Sequence, residues 1–477
     1  MTQAGGLAEG APVRTPLAHV DATWLRMDEP ASPMVVTGVL VLESPLPLAA
    51  VRHLLETRLT RFTRFTERLS ESVSDVGPPA WEVDPHFSVD HHLSEAPLPA
   101  PGDERALQAL VSCLMSQPFD RARPLWHFHL VPHYQGGCAI VGRIHHCIGD
   151  GLALIHVMLS IADGGPEPPK SSGDDASNGG GALSLWDLLG QSFSDTAAAA
   201  STLPAALLQE ATALLGDPER LADTTARVAS ALGAFSKLVL IPPDPLTPLK
   251  GLLGAEKKVA WSPPIPIDVF NRIGRVTGST INDILMATMS GALRQYLLRR
   301  GEVPPGLNVR GVVPVNLRAP EDAHRLGNEF GLVFLSLPLG IDDPLDRLFE
   351  VRRRMRAIKD TPEAAVAFQL LNALALVPQP MFDVVVRLFG AKATAVVTNV
   401  VGPRTAVAFA GARLRQPMFW VPCAGHLGLG ISLLSYAGDV WLGVQADASL
   451  VPAPEHIVEG FQAEVEVLAA LEQAAGR

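Results

Sequence analysis

The octapeptide Ile144-His145-His146-Cys147-Ile148-Gly149-Asp150-Gly151 connects two apolar runs, residues 138–144 before it and residues 152–162 after it. This order predicts a strand, a tight turn and a helix. The glycines at positions 149 and 151 allow backbone angles that other residues resist, so we expect a sharp turn that can approach a ligand closely. Asp150 is well placed to cap the helix that follows.

The two histidines are expected to point in opposite directions, because side chains alternate along a strand. His146 shares one face with Ile144, and His145 shares the other with Arg143. A site on one side of the sheet can therefore use only one imidazole directly, and an imidazole can both take and give a proton near neutral pH. A His-His pair alone is typical of a structural role, which we expect for His91-His92, where no Gly-Asp-Gly turn follows.

The composition describes a globular protein with a large core. Of the 477 residues, 47% are hydrophobic and 18% are charged, and the length is sufficient for two or three domains. The net charge of −11 argues against a general nucleic-acid binder, which needs a basic face. The four cysteines form no Cys-x-x-Cys pair, so zinc and redox motifs are unsupported and no metal site is predicted.

Targeting and membrane signals are not expected in this sequence. Residues 1–19 lack a basic segment followed by an apolar one. The uncharged stretches 364–382 and 416–438 are interrupted by prolines, so we expect a buried helix and buried strands rather than spans of about 20 apolar residues. A cytoplasmic location with reduced thiols is the expectation.

Changes in composition divide the chain into three parts. Residues 1–165 are predicted to form one α/β half and residues 258–477 another, because strand and helix patterns recur in both. Residues 166–257 begin with a Gly/Ser/Pro-rich linker and continue with the Ala/Leu-rich region 183–253, which predicts two or three helices. The apolar residues of these helices either pack between the halves or contact lipid.

Polar residues near the ends of elements in the second half are candidates for a site. Asn282 and Asp283 open a long helix, where capping is the structural explanation. Arg318 follows the predicted strand 309–315. A cluster of cations on the predicted helix 344–359 could meet the phosphates of a coenzyme, although a solvated helix face is the expected role. Its members are Arg352, Arg353, Arg354, Arg356 and Lys359.

The string His145-His146-x-x-x-Asp150-Gly151 resembles the HHxxxDG signature of the acyltransferase superfamily that includes chloramphenicol acetyltransferase, carnitine acyltransferases and peptide-synthetase condensation domains. In that superfamily the second histidine is the general base, and the aspartate forms a structural salt bridge with an arginine. The resemblance places these roles on His146 and Asp150. We expect Arg318 to be the partner of Asp150 across the two halves.

Further strings resemble the bacterial wax ester synthase/diacylglycerol acyltransferase family. They are Pro124-Leu125-Trp126, Asn282-Asp283 and the string Thr398-Asn399-Val400-Val401-Gly402-Pro403, which is like the family's SNVPGP. The likeness covers nearly the whole chain in the family's order and is weakest in the linker and the Ala-rich region. Thr398, Val401 and Cys147 depart from the family pattern, but none of them replaces a proposed catalytic group.

The resemblance implies an α/β fold of two chloramphenicol-acetyltransferase-like halves, each a mixed sheet with helices, with the active site and a tunnel at their interface. It implies an O-acyltransferase that moves a fatty acyl group from acyl-CoA, as co-substrate, to a long-chain alcohol or diacylglycerol, without a bound cofactor. Peripheral contact with the inner membrane or lipid droplets fits such substrates, and the oligomeric state stays open. A sugar, polyketide or amine acceptor and a non-catalytic lipid-coating role are the alternatives.

In the expected mechanism His146, with a pKa of about 6.5, takes the proton of the acceptor hydroxyl, which attacks the thioester directly. Asp283 and Gly151 are expected beside the substrate. Asn282 either polarises the thioester, holds the acceptor or caps its helix. His145 could orient its neighbour. Cys147 is a poor candidate nucleophile, because its side chain diverges from that of His146 in an extended segment.

Overall fold

The computed structural model describes six stretches of the chain, which include most of both predicted halves. They are residues 14–70, 79–165, 240–301, 303–318, 325–359 and 361–475. The predicted linker, and the helices expected between residues 183 and 239, lie outside the described residues. Residues 241–253 belong to the same predicted helical region, and they form turns and extended chain instead.

The strands and helices before residue 166 agree closely with the sequence patterns. The hairpin formed by the strands Trp126–Tyr134 and Gly137–His145, for example, turns at Gln135-Gly136, and Gly136 has a φ of +81° that glycine adopts without strain. The elements are β1 (Arg14–Pro16), α1 (His19–Arg26), β2 (Val35–Leu42), α2 (Leu48–Thr57), β3 (Glu67–Ser70), β4 (Ala80–Val83), β5 (Leu93–Glu95), α3 (Glu104–Met115), β6 (Trp126–Tyr134), β7 (Gly137–His145) and α4 (Gly151–Ile161).

The elements after residue 256 again mix strands with helices. They are β8 (Lys257–Trp261), β9 (Ile265–Pro266), α5 (Ile267–Thr277), α6 (Ile281–Leu298), β10 (Val309–Asn316), β11 (Phe330–Leu337), α7 (Pro344–Lys359), α8 (Glu363–Leu374), α9 (Gln379–Gly390), β12 (Ala395–Val401), β13 (Ala408–Phe409), β14 (Ala412–Trp420), β15 (Leu429–Tyr436), β16 (Asp439–Asp447) and α10 (Glu455–Ala475).

The first sheet has six strands in the order β13-β14-β2-β7-β6-β5. β7 lies in its interior, antiparallel to both β2 and β6, while β5 joins β6 in parallel. Val35 of β2 pairs with His145 at the end of β7. The His145-His146 pair therefore stands at the end of a central strand, as the sequence predicts.

The second sheet has the order β11-β10-β12-β15-β16-β8, with β9 also pairing with β16. Its strand β12 is parallel to β10 and β15, and the other pairs are antiparallel. The long helix α6 packs against α7 and α10 and buries apolar residues such as Ile284, Met289 and Leu293. Both sheets are mixed and carry helices, so the expected α/β fold of two halves is confirmed.

Strands β13 and β14 cross from one half to the other. They follow β12 of the second sheet in sequence, yet β14 pairs with β2 of the first sheet, from Leu414 opposite Leu42 to Trp420 opposite Thr37. The predicted second half, residues 258–477, therefore contributes residues 408–420 to the first sheet. Alternation predicts that a segment is a strand, but it does not specify which open sheet edge the strand joins.

The two uncharged stretches form strands and helices of the two halves. Residues 416–438 contain the end of β14 and the whole of β15, which confirms buried strands. Residues 364–382 belong to two helices, α8 and α9, rather than the single helix expected, because Pro378 cannot continue the helical hydrogen bonding of α8. Among the described residues, no helix is both long and apolar enough to cross a membrane.

Candidate active site

The turn after β7 places His146 and begins α4. The N–H of His146 donates to the carbonyl oxygen of Met34 at 2.8 Å, and the N–H of Ile148 donates to the carbonyl oxygen of His145 at 3.0 Å. Asp150 is the N-cap of α4, as predicted, since its Oδ1 accepts from the N–H of Ala153 at 2.9 Å. Backbone and cap together hold the segment that carries the histidine.

Gly149 and Gly151 do not adopt the backbone angles that favour glycine, so the expectation that the turn needs such angles was wrong. Neither Gly149 nor Gly151 has a positive φ, whereas Gly327, which pairs with Gly149, has a φ of +107°. A Cβ at position 149 would lie 3.3 Å from the Cβ of Ala153, so Gly149 permits close packing. A Cβ at position 151 would meet no heavy atom within 4 Å.

Asp150 connects this turn to the second half through Arg318. The Arg318 Nη2 donates to Oδ2 of Asp150 at 3.0 Å and Nη1 donates to Oδ1 at 3.3 Å, with both side chains buried. Oδ2 also accepts from the N–H of Glu329 at 3.1 Å, and Arg318 donates to the carbonyl oxygen of Gly327 at 3.0 Å. The ion pair expected from the sequence is present, and both carboxylate oxygens of Asp150 are engaged in holding the turn.

His146 is buried among aromatic rings of both halves. Its ring stacks on Trp24 with the centroids 4.3 Å apart, and the Phe330 centroid lies 5.7 Å away. Burial lowers the pKa of His146 to about 4, an effect that the charge of Asp150 partly opposes. The imidazole is therefore neutral near pH 7, and its Nδ1 has no hydrogen-bond partner in the described part of the chain. The expected pKa was higher because the sequence does not show burial.

Two residues that sequence reasoning missed hold the backbone of His146. The Nδ2 of Asn328 donates to the carbonyl oxygen of His146 and to Oδ1 of Asp21, both at 2.8 Å. Burial raises the pKa of Asp21 to about 6, against the effect of the Asn328 hydrogen bonds. Asp21 lies in α1, far from the histidine turn in sequence. Nothing in the sequence pairs Asn328 with the histidine turn.

His145 occupies a different environment from His146. Its Nδ1 accepts from the N–H of Cys147 at 3.1 Å and lies 3.0 Å from the Cys147 Sγ, while its Nε2 lies 3.6 Å from Oδ2 of Asp28. Burial raises the pKa of the Cys147 thiol well above its ordinary value, so this thiol stays protonated. Neither residue lines the cavity that His146 faces. The structure therefore does not support a catalytic role for His145, because the strand turns its side chain to the opposite face.

His146 lines a cavity between the two halves, here called the first cavity, with a volume of about 1440 Å³ including its open mouth. Its wall is mostly apolar, with a few polar side chains near the histidine. Lining residues include Trp24, Met27, His146, Asp150, Gly151 and Leu152 from the first half, and Pro314, Asn316, Phe330, Leu371, Val386, Phe389, Thr398 and Asn399 from the second. An apolar space shared by both halves is what the expected tunnel requires.

Asn282 and Asp283 are not among the residues that line the first cavity, and their expected place beside the substrate stays a prediction. Thr280 caps α6, and Asp283 completes the capping box by accepting from the Thr280 N–H at 2.8 Å. Asn282 is not the cap; its Oδ1 accepts a hydrogen bond from Nδ2 of Asn399, which does line the cavity. The two residues lie 117 positions apart in sequence, and strand β12 brings Asn399 to Asn282.

The remaining motif residues support neighbouring backbone. Pro124, Leu125 and Trp126 are buried; the Leu125 carbonyl oxygen accepts from the His145 N–H at 2.9 Å, and the Trp126 indole donates to the Phe65 carbonyl oxygen at 2.8 Å. Gly402 donates its N–H to the carbonyl oxygen of Ser435 at 2.7 Å. Pro403 accepts from the N–H of Ala437 at 2.9 Å. These contacts brace the ends of β7 and β12.

Three arginines of the predicted cation cluster on α7 make contacts within the second half. Arg353 and Arg354 form ion pairs with Glu350 at 2.6 and 2.7 Å, and Arg352 donates to the carbonyl oxygen of Thr277 at 3.0 Å. These contacts favour the structural role over a coenzyme site. Within the described ranges, no group of three or more His, Cys, Asp or Glu side chains is arranged to hold a metal ion.

Two mixed α/β halves with a histidine facing the cavity between them define the fold of chloramphenicol-acetyltransferase-like acyltransferases. The first condensation domain of the calcium-dependent antibiotic synthetase has this fold, with a TM-score of 0.59, 16% identity and 96% coverage of both chains. The wax ester synthase/diacylglycerol acyltransferase from Marinobacter aquaeolei VT8 matches with a TM-score of 0.64, 21% identity, and coverage of 97% of this chain and 100% of its own.

The sequence comparisons identify the family. The model of the wax ester synthase/diacylglycerol acyltransferase catalytic domain matches residues 17–285, and the model of the C-terminal domain of that family matches residues 326–469. A Mycobacterium tuberculosis protein named as a probable diacylglycerol O-acyltransferase is 28% identical over 464 residues, 95% of this chain and 96% of the relative. The chain belongs to the wax ester synthase/diacylglycerol acyltransferase family and is an acyltransferase.

Proposed function

We propose that this enzyme transfers a fatty acyl group from acyl-CoA to the hydroxyl of diacylglycerol or a long-chain alcohol, with His146 as the general base. The observation that carries the proposal is the neutral, buried imidazole of His146 in the wall of an apolar cavity between the two halves. The names of the relatives support these two acceptors. Acyl-CoA is a co-substrate, and the mechanism uses side chains of the chain itself.

The reaction proceeds by direct attack. His146 takes the proton of the acceptor hydroxyl as its oxygen attacks the thioester carbonyl carbon, and the tetrahedral intermediate collapses with cleavage of the C–S bond. The imidazolium returns its proton to the thiolate, so the products are an ester and free coenzyme A. A thiol with a pKa of about 8.5 leaves readily, and no acyl-enzyme is required. Burial makes the imidazolium of His146 a stronger acid than one in water, which favours this return of the proton.

The lining of the first cavity favours lipid acceptors over the alternatives. A sugar would bury several polar groups against a mainly apolar wall, and each unpaired buried group costs about 1–3 kcal/mol. An alkylamine is protonated near neutral pH, and burying its charge there costs more. A long-chain alcohol presents a single hydroxyl and an apolar body, and diacylglycerol adds two esters, which need no hydrogen-bond acceptor. Asn399, held by Asn282, is the amide that we assign to contact substrate near His146. The presence of the His146, Asp150 and Arg318 arrangement argues against a purely lipid-coating role.

Peripheral contact with a lipid surface is the second part of the proposal. Helix α9 lines the first cavity with Val386 and Phe389, while Met381, Val384 and Leu388 of the same helix are exposed, Val384 to 59%. An exposed apolar stripe on the wall of a lipid-binding cavity allows an acceptor to enter directly from a membrane or droplet surface. A cytoplasmic location agrees with the four free cysteines, all within the described residues.

Measurement of turnover with different acceptors tests the proposed acyl transfer. The enzyme is incubated with palmitoyl-CoA and, in separate reactions, 1,2-dipalmitoylglycerol, hexadecanol, glucose and hexadecylamine. Free thiol release gives the rate, and mass spectrometry identifies the product. We expect esters of the two lipid alcohols. Amide or sugar ester as the main product, or no thiol release with any acceptor, would contradict the proposal.

Flotation with phosphatidylcholine vesicles tests the lipid contact. The triple variant Met381→Ser, Val384→Ser, Leu388→Ser should lose vesicle binding. The matched control Val276→Ser, Leu298→Ser, Phe349→Ser removes three exposed apolar residues elsewhere and should keep it. Equal binding by both triple variants would exclude α9 as the contact. The same pair of variants in vesicles with added phosphatidylglycerol shows whether anionic lipid changes the result.

A further inference from the structure

A second cavity lies between α4 and the first sheet, and the mechanism above does not use it. Its volume is about 930 Å³ including its mouth. The strands β2 and β7 form its floor, with Gly38 and Gly142 directly opposite each other in register. Leu154, Ile155 and Met158 of α4 cover it. The cavity is therefore a separate space behind the histidine turn.

The wall of the second cavity offers almost no polar partner. Among the described residues that line it, Tyr436 alone carries a hydroxyl, which donates to the carbonyl oxygen of Leu414 at 3.0 Å and accepts from the N–H of Val407 at 2.9 Å. A ligand with hydroxyl, ester or phosphate groups would lose hydrogen bonds to water there without replacing them. A hydrocarbon chain would lose none. The first cavity, by contrast, contains His146, Asn399 and Thr398.

The two glycines of the floor make room for such a chain. A glycine inside a strand weakens it and commonly marks a close approach of another group. A Cβ at position 142 would lie 2.7 Å from the ring of Phe128, so Gly142 lets this ring lie against the sheet instead of filling the cavity. A Cβ at position 38 would meet only the carbonyl oxygen of Met418, at 3.6 Å.

Gly151 stands where the two cavities meet. It lines both, together with Phe419. Its φ is not in the positive range and an added Cβ would contact nothing within 4 Å, so neither backbone conformation nor packing requires glycine there. Gly151 is the first residue of α4, a position that residues with side chains readily occupy. Without a side chain, Gly151 leaves a gap beside Asp150, which caps the helix, and near His146.

We propose that the second cavity binds the hydrocarbon chain of the acyl-CoA, that the chain reaches it through the gap at Gly151, and that the acceptor occupies the first cavity. This inference rests on the proposed function, because it assigns its two substrates to two spaces. The thioester carbonyl then lies near His146 at the junction, and the acceptor hydroxyl approaches from the first cavity. Gly151 and Met158 thereby determine which acyl chains are accepted.

The test is the ratio of kcat/KM for palmitoyl-CoA to that for butyryl-CoA. Gly151→Leu closes the gap and should lower this ratio roughly tenfold or more, because the long chain loses its binding space. Gly151→Ala should lower it less. Met158→Trp fills the cavity about 10 Å further along α4 and should move the preferred chain length from palmitoyl toward octanoyl. Thermal unfolding followed by circular dichroism establishes that each variant is folded.

Leu152→Trp is the matched control, since Leu152 lies on the same helix but lines only the first cavity. It should raise the KM of the acceptor and leave the acyl-chain ratio within about twofold. An unchanged ratio in both Gly151→Leu and Met158→Trp, or an equal change in Leu152→Trp, would overturn the inference.

Binding of S-hexadecyl-CoA, a thioether that cannot react, separates failure of this inference from failure of the proposed function. If the wild-type enzyme transfers no acyl group, the proposed function fails, and calorimetric binding still tests the second cavity. We expect S-hexadecyl-CoA to bind Met158→Trp at least tenfold more weakly than it binds wild type, with S-butyl-CoA affected far less. Equal affinities of the two enzymes for S-hexadecyl-CoA would contradict the assignment of the cavity.

Discussion

His92 and His146 are each the second residue of a His-His pair, and each imidazole is buried against a tryptophan. The His92 ring stacks on Trp126 at 4.4 Å, and the His146 ring stacks on Trp24 at 4.3 Å. Burial lowers the pKa of both. The two residues therefore share the His-His dipeptide, a buried side chain and a stacked tryptophan. None of these features by itself distinguishes a catalytic histidine.

The difference lies in what surrounds each pair. His92 lines neither apolar cavity, and its Nδ1 lies 2.8 Å from the carbonyl oxygen of Trp126, within one half. His146 faces the first cavity, and the turn that follows it is attached to the second half by Asp150 and Arg318. A candidate base therefore differs from a structural histidine in two respects: its imidazole reaches the substrate cavity, and its turn is attached to the other half.

The largest expected contrast is between His146→Ala and His92→Ala. His146→Ala should lower kcat for palmitoyl transfer about 10²–10⁴-fold, the contribution of a general base. His92→Ala should lower the unfolding temperature, because it leaves a cavity beside Trp126, but keep kcat per folded molecule near the wild-type value. Initial rates normalised to the folded fraction check both. Similar kcat losses in the two variants would remove the distinction.

The next expected effect concerns the Asp150–Arg318 ion pair, which follows His146 and has no counterpart after His92. Asp150→Asn should destabilise the folded protein by up to about 3–5 kcal/mol, because the buried Arg318 loses its buried carboxylate partner and keeps only the half-exposed Glu329, 3.6 Å away. It should also reduce kcat as the turn loosens. Urea unfolding gives the free energy of unfolding. The double variant Asp150→Asn, Arg318→Met should recover part of the stability. An unchanged unfolding midpoint in Asp150→Asn would show that the pair does not hold the turn.

A smaller effect is expected on the pH profile. The neutral form of His146 is the base, and burial lowers its pKa to about 4, so kcat/KM should stay flat from pH 8 to about pH 5.5 and fall only as the pH approaches 4. Rates in overlapping buffers, with stability checked at each pH, provide the measurement. An inflection near pH 6.5 would show an imidazole that behaves as if exposed to water.

The smallest effect is expected at the residue next to His146. Cys147→Ala should keep kcat within roughly threefold, because the thiol is protonated and faces His145 instead of the first cavity. Steady-state rates, with the unfolding temperature as a control for packing, give the answer. A loss comparable to that of His146→Ala would point to covalent catalysis by the thiol.

Much of the fold could be predicted because local patterns specify local structure. Apolar runs predicted β7 and β10, and the apolar period of α6 predicted a long helix whose cap is the neighbouring Thr280. The patterns did not indicate that β14 would join the first sheet, or that Pro378 would divide the predicted helix 364–382. Which sheet edge β14 joins depends on the whole fold, so local patterns could not predict it.

The sequence by itself determined the strand, turn and helix around His146, the capping by Asp150, and the pairing of Asp150 with Arg318 that the family resemblance implied. Alternation also predicted that the side chains of His145 and His146 point in opposite directions. The tertiary structure was needed to show that Asn399 rather than Asn282 lines the cavity, and that Asn328, itself bound to Asp21, holds the His146 backbone. It also decided the pKa of His146. Burial and cavity shape depend on residues distant in sequence, whereas turns and caps depend on neighbours a few positions away.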